Sequence, residues 1–334
     1  MSAAPAIADL RAAADRIAGR AVRTPLLEAP LLNRAAGRRV LLKAENLQRT
    51  GSFKFRGAWS HLSTLDAKTR ARGVLAYSSG NHAQGVASAA AELEIPAVIV
   101  MPTDAPALKR ANTAALGAEV VLYDRAGGES REEVGARLIA ERGLHLVKPF
   151  DDPLVIAGQG TIGLEIAVQA RDAGVTEGEV MVCCGGGGLA SGVGLGLEAD
   201  APGMRVRPVE PEGFDDWARS LRSGEIQRNA HATGSICDAI LTPSPGDVTW
   251  PIGRRLFGDA VIVSDRDARR AMAAAARHLK IVLEPGGAVG LAAALFHAAG
   301  DAPVIAVASG GNVDLAAYAE WIQFSDWTDE GLPL

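Results

Sequence analysis

Cysteine is scarce in this chain. Of 334 residues only Cys183, Cys184 and Cys237 carry a thiol, and no CxxC pair exists. That argues against a disulfide framework and against a zinc site, and leaves three small buried hydrophobes. Aromatic residues make up 4% while alanine is abundant, a composition that suits helices packed closely on a sheet. Basic residues form no stripe and the net charge is −5, so nucleic acid is not an expected partner. No stretch approaches the ~20 apolar residues of a membrane span, and Met1 to Leu10 lacks a basic n-region and a long apolar core. A cytoplasmic protein without a membrane partner is expected. What the chain does have is length and apolar content. With 334 residues, 48% of them hydrophobic, it can build two domains or one large one around a real core.

The apolar pattern is that of an α/β protein. Residues 6–18 read as an amphipathic helix and residues 40–42 as a short strand. Continuous apolar strands at 74–77, 97–101 and 118–122 then alternate with helices starting near Asn81, running through Lys109 and covering 129–142. After Pro149 a helix is expected over 160–170, with strands at 180–184, 205–209, 260–263 and 303–308. Strands apolar throughout imply parallel sheets covered on both faces. Asp265 is the expected cap of an alanine-rich helix over 266–279. Residues 225–258 are the least regular stretch and are expected to wrap the surface or line a cleft.

Three segments carry chemistry. Lys54 sits in Thr50-Gly51-Ser52-Phe53-Lys54-Phe55-Arg56-Gly57-Ala58, flanked by small residues and an aromatic ring. An amine so placed can act as a Schiff-base nucleophile if its surroundings lower its pKa. Gly185, Gly186, Gly187 and Gly188 follow a strand and precede a helix near Leu189. Unobstructed amides and a helix N-terminus there form a phosphate cradle, although such turns also serve packing or bind dinucleotides. The spacing is neither a P-loop nor a good GxGxxG with a ribose-binding acid. Ser78-Ser79-Gly80-Asn81-His82 lies at another strand end, where open α/β sheets bind ligands. It can hold a carboxylate, or Ser79 or Asn81 can simply cap the next helix. Ser309-Gly310-Gly311-Asn312 repeats the arrangement at the last strand, where a plain turn is the alternative.

In this order TGSFKFRGA, SSGNHAQG, AGQGTIGLEI, GGGGLASG and SGGNVD resemble the fold-type II pyridoxal phosphate enzymes, in particular the serine/threonine dehydratase and serine racemase group. The resemblance extends from Thr24-Pro25-Leu26 to Asn312-Val313-Asp314. It implies a tryptophan synthase β-like fold of two open parallel-sheet domains. The large domain would comprise residues 1–73 and 151–334 and the small mobile one 74–150, in a homodimer. It further implies that Lys54 carries pyridoxal 5'-phosphate, Phe53 packs on its ring and Asn81 bonds the ring hydroxyl. Gly185 to Gly188 and Leu189 would hold the phosphate, and Ser309 would face the pyridine nitrogen. Ser78, Asn81 and His82 would take the carboxylate of a small amino-acid substrate, with Ser79 as acid/base on the opposite face.

The implied reaction is β-elimination. A hydroxyl facing the ring nitrogen does not keep it protonated as a carboxylate would, which disfavours a long-lived carbanion and favours prompt elimination. Substrate displaces Lys54, which then takes the Cα proton, and L-threonine or L-serine ends as a 2-oxo acid and ammonia. A 3-hydroxyaspartate dehydratase and a serine racemase are the alternatives. Outside enzymes, a phosphate-ligand binding protein on the same scaffold would require Lys54 to be idle. Arg131 matches a position that reaches substrate in racemase-like members, where it would favour a second carboxylate; otherwise it is a solvated helix residue. Glu210, Asp216 and the Phe214 backbone match a site for Mg2+ or Ca2+, or else form a solvated acidic turn. Ala239 stands where many relatives have a glycine flat against the ring, and its methyl is expected to strain or tilt it.

Overall fold

The computed structural model describes residues 3–105, 107–125 and 127–323. Helix α1 (Ile7–Ile17) buries Leu10, Ala13 and Ile17 on one face, and leads to β1 (Leu26–Glu28), α2 (Pro30–Ala36) and β2 (Val40–Ala44). Helices α3 (Lys54–Leu62) and α4 (Ala67–Arg72) follow. The chain then alternates through β3 (Val74–Tyr77), α5 (Asn81–Glu92), β4 (Ala97–Pro102), α6 (Ala107–Ala115), β5 (Glu119–Tyr123), α7 (Arg131–Arg142) and β6 (His145–Leu146). These four strands form one sheet in the order β5-β4-β3-β6, all parallel.

The second half supplies α8 (Pro153–Asp172), β7 (Gly178–Cys183), α9 (Gly188–Asp200), β8 (Met204–Pro211), α10 (Asp216–Ser223) and α11 (Thr249–Leu256). It ends with β9 (Val261–Val263), α12 (Asp265–Ala274), α13 (Pro285–Phe296), β10 (Val304–Ala308) and α14 (Leu315–Trp321). The larger sheet runs β1-β2-β10-β7-β8-β9 and is parallel except at its β1 edge, which pairs antiparallel with β2. A three-residue edge strand has too few residues to show a period, so the pattern did not reveal it. The strands β2, β4 and β10 are buried at every position, as sheets covered on both faces require.

Two local expectations need correction, and one helix escapes the sequence pattern altogether. Ser264, not Asp265, caps α12: its Oγ accepts from Asp267 N while the Asp267 carboxylate accepts from Ser264 N. That is a capping box. Asp265 instead accepts from Ser235 Oγ and Ile236 N and pins the irregular stretch. Helix α8 begins seven residues earlier than expected, because Asp152 caps it and Pro153 fills its first turn. Helix α13 was not foreseen: Pro285 to Leu295 are all buried, so no amphipathic period marks it.

The glycines of AGQGTIGLEI serve packing. A Cβ on Gly158 would lie 2.6 Å from Arg56 O, and one on Gly163 2.4 Å from Val193 O. Helix α8 can therefore sit directly against α3 and α9. Beneath α3, Arg56 is fully buried and pairs with Glu45 and Glu165 at 2.8 and 2.7 Å. This network sets the orientation of the helix that starts at Lys54.

Candidate active site

The strand ends converge on Lys54. Its loop is laid along the end of β10: Phe53 N donates to Ser309 O at 3.1 Å, Gly311 N to Gly51 O at 2.9 Å, and Ser52 bridges Gly310. Thr50 adopts φ 60° and ψ 16°, an unusual conformation for a β-branched residue. Asn312 Nδ2 holds its carbonyl at 2.7 Å. Strain of this kind is about 1–3 kcal/mol and persists only where surrounding contacts impose it.

Lys54 Nζ donates to Pro149 O at 2.7 Å and lies 5.1 Å from the Phe53 ring centroid. Burial lowers its pKa to about 8, against the opposing pull of Cys183 and Glu284. A lysine held at about 8 keeps a far larger neutral fraction at physiological pH than a solvated lysine does, and the neutral form is what a nucleophile requires. Ser309, buried at the end of β10, accepts from Cys183 Sγ at 3.1 Å. Burial pushes the Cys183 thiol up to about 11, so it stays protonated.

The glycine run is packed on its side-chain side and open on its amide side. A Cβ on Gly186 would lie 2.2 Å from the Phe150 ring, and one on Gly187, at φ 92°, 2.2 Å from Trp217. Trp217 Nε1 donates to Gly185 O and Thr249 Oγ1 to Gly186 O, both at 2.7 Å. Among the described residues the amides of 185–189 have no acceptor; the first amide of α9 with one is Ser191, at Gly187 O.

The loop after β3 behaves differently. Gly80 is the N-cap of α5 and no side chain caps it, so Ser79 and Asn81 are not capping residues. Ser78 Oγ accepts from Gly80 N, and Ser79 is half-buried. Asn81 Nδ2 donates to Glu284 Oε1 at 2.6 Å, and Asn312 Nδ2 donates to Asn81 Oδ1 at 2.8 Å. His82 is buried and its Nε2 contacts Val147 O at 2.9 Å. Burial first, then the Lys54 charge, lower its pKa to about 3. It is a neutral ring tying α5 to the segment after β6, with Nε2 committed to that carbonyl.

Glu284, at the N-cap of α13, was missed in the sequence. Burial raises its pKa to about 7, opposed by the bond from Asn81. A Cβ on Gly310 would lie 1.9 Å from its Oε1. The available signal was a lone carboxylate in Glu284-Pro285-Gly286-Gly287, opening a helix apolar all round. Ala239 lies in a one-turn helix, Asp238–Ile240, and any Cβ on Gly286 would come within 3.3 Å of its methyl. Gly286 therefore leaves the methyl room on that side. Arg131 is half-exposed at the start of α7 and donates to Glu132 Oε1 at 2.7 Å, rather than reaching toward Lys54.

Residues 17–310 match the family described as "Pyridoxal-phosphate dependent enzyme". The chain belongs to that family. It is 41% identical to an L-threo-3-hydroxyaspartate ammonia-lyase of Saccharomyces cerevisiae, over 95% of this chain and 96% of the relative. It is 38% identical to the catabolic L-threonine dehydratase of Escherichia coli, over 96% and 97%. The structure of maize serine racemase superposes with a TM-score of 0.88 at 37% identity, over 95% and 96%. The protein is a pyridoxal phosphate enzyme of the lyase type with an α/β fold of parallel sheets. Its residues fit the cofactor: a buried amine with a lowered pKa, free amides at a helix N-terminus for the phosphate, and a buried hydroxyl at Ser309.

The acidic turn lies behind the cradle. Glu210, at the end of β8, accepts from Trp217 N and Ala218 N, both at 2.8 Å. Asp216 Oδ1 accepts from Asn229 Nδ2 at 2.6 Å, while Oδ2 is buried without a partner among the described residues. Burial raises Asp216 to about 7 and Glu210 well above the carboxylate range. An unpartnered buried oxygen beside carboxylates of raised pKa is an arrangement that a divalent cation would relieve. No group of three His, Cys, Asp or Glu gathers there among the described residues, so backbone oxygen and water would complete the shell.

Proposed function

We propose that this enzyme removes the β-hydroxyl of a small amino acid by elimination, yielding a 2-oxo acid and ammonia, with L-threo-3-hydroxyaspartate as preferred substrate. The observation that carries the reaction type is the buried Lys54 amine, its pKa lowered to about 8, at the meeting of the strand-end loops. When bound, pyridoxal phosphate supplies the electron sink for the pair left at Cα. Lys54 takes the Cα proton; the Ser78–Asn81 loop orients the substrate carboxylate through hydroxyls and backbone amides. Asn81, fixed by Glu284 and Asn312, keeps its remaining amide hydrogen for the cofactor hydroxyl. Ser309 would take the ring nitrogen of the bound cofactor. The hydroxyaspartate preference is supported by relatives of that activity from yeast and from Pseudomonas, 41% and 42% identical.

L-Threonine or L-serine is the second reading, supported by the similarity to the E. coli dehydratase. Racemisation would need a proton donor opposite Lys54, and the half-buried Ser79 is the candidate. In this reading the sheet over residues 74–150 closes on the substrate as a mobile unit and excludes water. The enzyme works as a homodimer, and Mg2+ or Ca2+ at Glu210, Asp216 and the Phe214 carbonyl steadies Trp217 behind the cradle. The test is a substrate panel of the hydroxyaspartate stereoisomers, L- and D-serine, and L-threonine, scored for oxo acid and for epimer. Highest kcat/KM on the L-threo isomer is expected. No oxo acid from any of them would reject the elimination reading.

A further inference from the structure

A second carboxylate on the substrate needs a cation in the cleft, and Arg131 is turned onto Glu132. Another cation is there. Lys109, on α6, contacts Asp238 on the far side of the cleft, with Nζ 3.4 Å from Oδ2. The two side chains are unequal: the lysine is 26% exposed and the aspartate 66%. Lys109 is therefore held in the cleft, whereas Asp238 can swing into water at little cost. Both lie near the active centre. The Lys109 ammonium lowers and the Asp238 carboxylate raises the pKa of Glu284, the residue that holds Asn81. Asp238 also immediately precedes Ala239, whose methyl faces Gly286 at the start of α13.

We propose that Lys109 is the specificity residue for a second substrate carboxylate, and that Asp238 occupies its ammonium until such a substrate displaces it. The ion pair is then a placeholder that keeps a cleft lysine paired between turnovers. A substrate with a distal carboxylate restores the charge pairing when it displaces Asp238. A neutral β-hydroxy amino acid must either leave the pair closed or leave Lys109 unpaired. Discrimination follows from that difference rather than from size. Asp238 competes for the same ammonium, so its removal should help dicarboxylates. The inference rests on the hydroxyaspartate reading given above.

The test uses holoenzyme of wild type, Lys109→Met, Lys109→Arg and Asp238→Asn. For each, kcat/KM is measured on L-threo-3-hydroxyaspartate and on L-threonine. Dissociation constants for L-aspartate and L-alanine are read from the absorption of the bound cofactor; this pair differs only in the distal carboxylate. Lys109→Met should lower the hydroxyaspartate-to-threonine ratio about 10- to 100-fold, the range expected for one charge-assisted hydrogen bond. It should also raise the L-aspartate constant far more than the L-alanine one. Lys109→Arg should recover most of the ratio, and Asp238→Asn should raise it. Equal changes on both substrates and both ligands would overturn the proposal and leave the pair as a latch between α6 and the turn. L-Alanine binding verifies that each variant is folded. If wild type deaminates threonine but not hydroxyaspartate, the substrate reading fails. The L-aspartate and L-alanine constants then decide the role of Lys109 by themselves.

Discussion

Two strand-end loops face the same cleft, and they are built on opposite plans. The turn at 185–188, on the large sheet, offers backbone alone. Phe150 and Trp217 pack its side-chain face, Gly185 and Gly186 carbonyls are held, and its amides are left open. The turn at 78–82, on the small sheet, presents side chains as well as amides. Ser79 is half-buried, and Asn81 spends its hydrogen bonds on Glu284 and Asn312, which belong to the other sheet's elements. A group that must stay bound through every turnover is served by a rigid backbone cradle. In the proposed mechanism a substrate that enters and leaves is met by contacts spanning two sheets. Lys54 stands between the two plans.

That contrast can be broken experimentally, most severely at its centre. Lys54→Ala should lower ammonia release by at least about 10^3-fold, as loss of both nucleophile and base implies. In the wild-type apoenzyme, cofactor loading should quicken as pH rises through about 8, because burial has lowered the Lys54 pKa to that value and only the neutral amine attacks. Stopped-flow absorbance checks both the rate and its direction. On the small-sheet side, Ser79→Ala should suppress epimer formation about 100-fold while sparing elimination from an L-substrate. Equal loss of both would remove Ser79 from the opposite face.

On the large-sheet side, Gly187→Ala places a methyl against Trp217 at a positive φ. It should weaken cofactor binding by about tenfold or more, consistent with about 1–3 kcal/mol of backbone strain, measured by equilibrium dialysis. Behind the cradle, millimolar Mg2+ or Ca2+ added to chelator-treated protein should raise the Tm by about 5 °C at saturating excess. Asp216→Asn should abolish that rise. Glu284→Gln preserves an acceptor for Asn81 while removing a group that titrates at about 7. A limb near pH 7 in the kcat/KM profile should disappear, with less than about a tenfold change at the optimum.

The legible parts of this protein share a physical trait. Lys54, the glycine run and the Ser78–His82 loop each lie within a few consecutive residues, the last two directly after a strand with a clear apolar signature. Their chemistry can be read from neighbours in the chain. The parts that were not legible are made by contacts distant in sequence. Glu284 meets Asn81 across 203 residues, and Lys109 meets Asp238 across 129. Helix α13 is buried on all sides and shows no period. Ser264 and Asp265 are both good capping residues, and the choice fell to Asp267 three positions after Ser264.

The order and type of the motifs by themselves determined the family and the cofactor and singled out Lys54 as the lysine proposed to carry it, because each depends on short local geometry that few other sequences supply. Only the tertiary structure decided which charges the cleft contains. It turned Arg131 onto Glu132, neutralised His82 by burial and paired Lys109 with Asp238, because burial and ion pairing depend on elements that meet only once both sheets are folded.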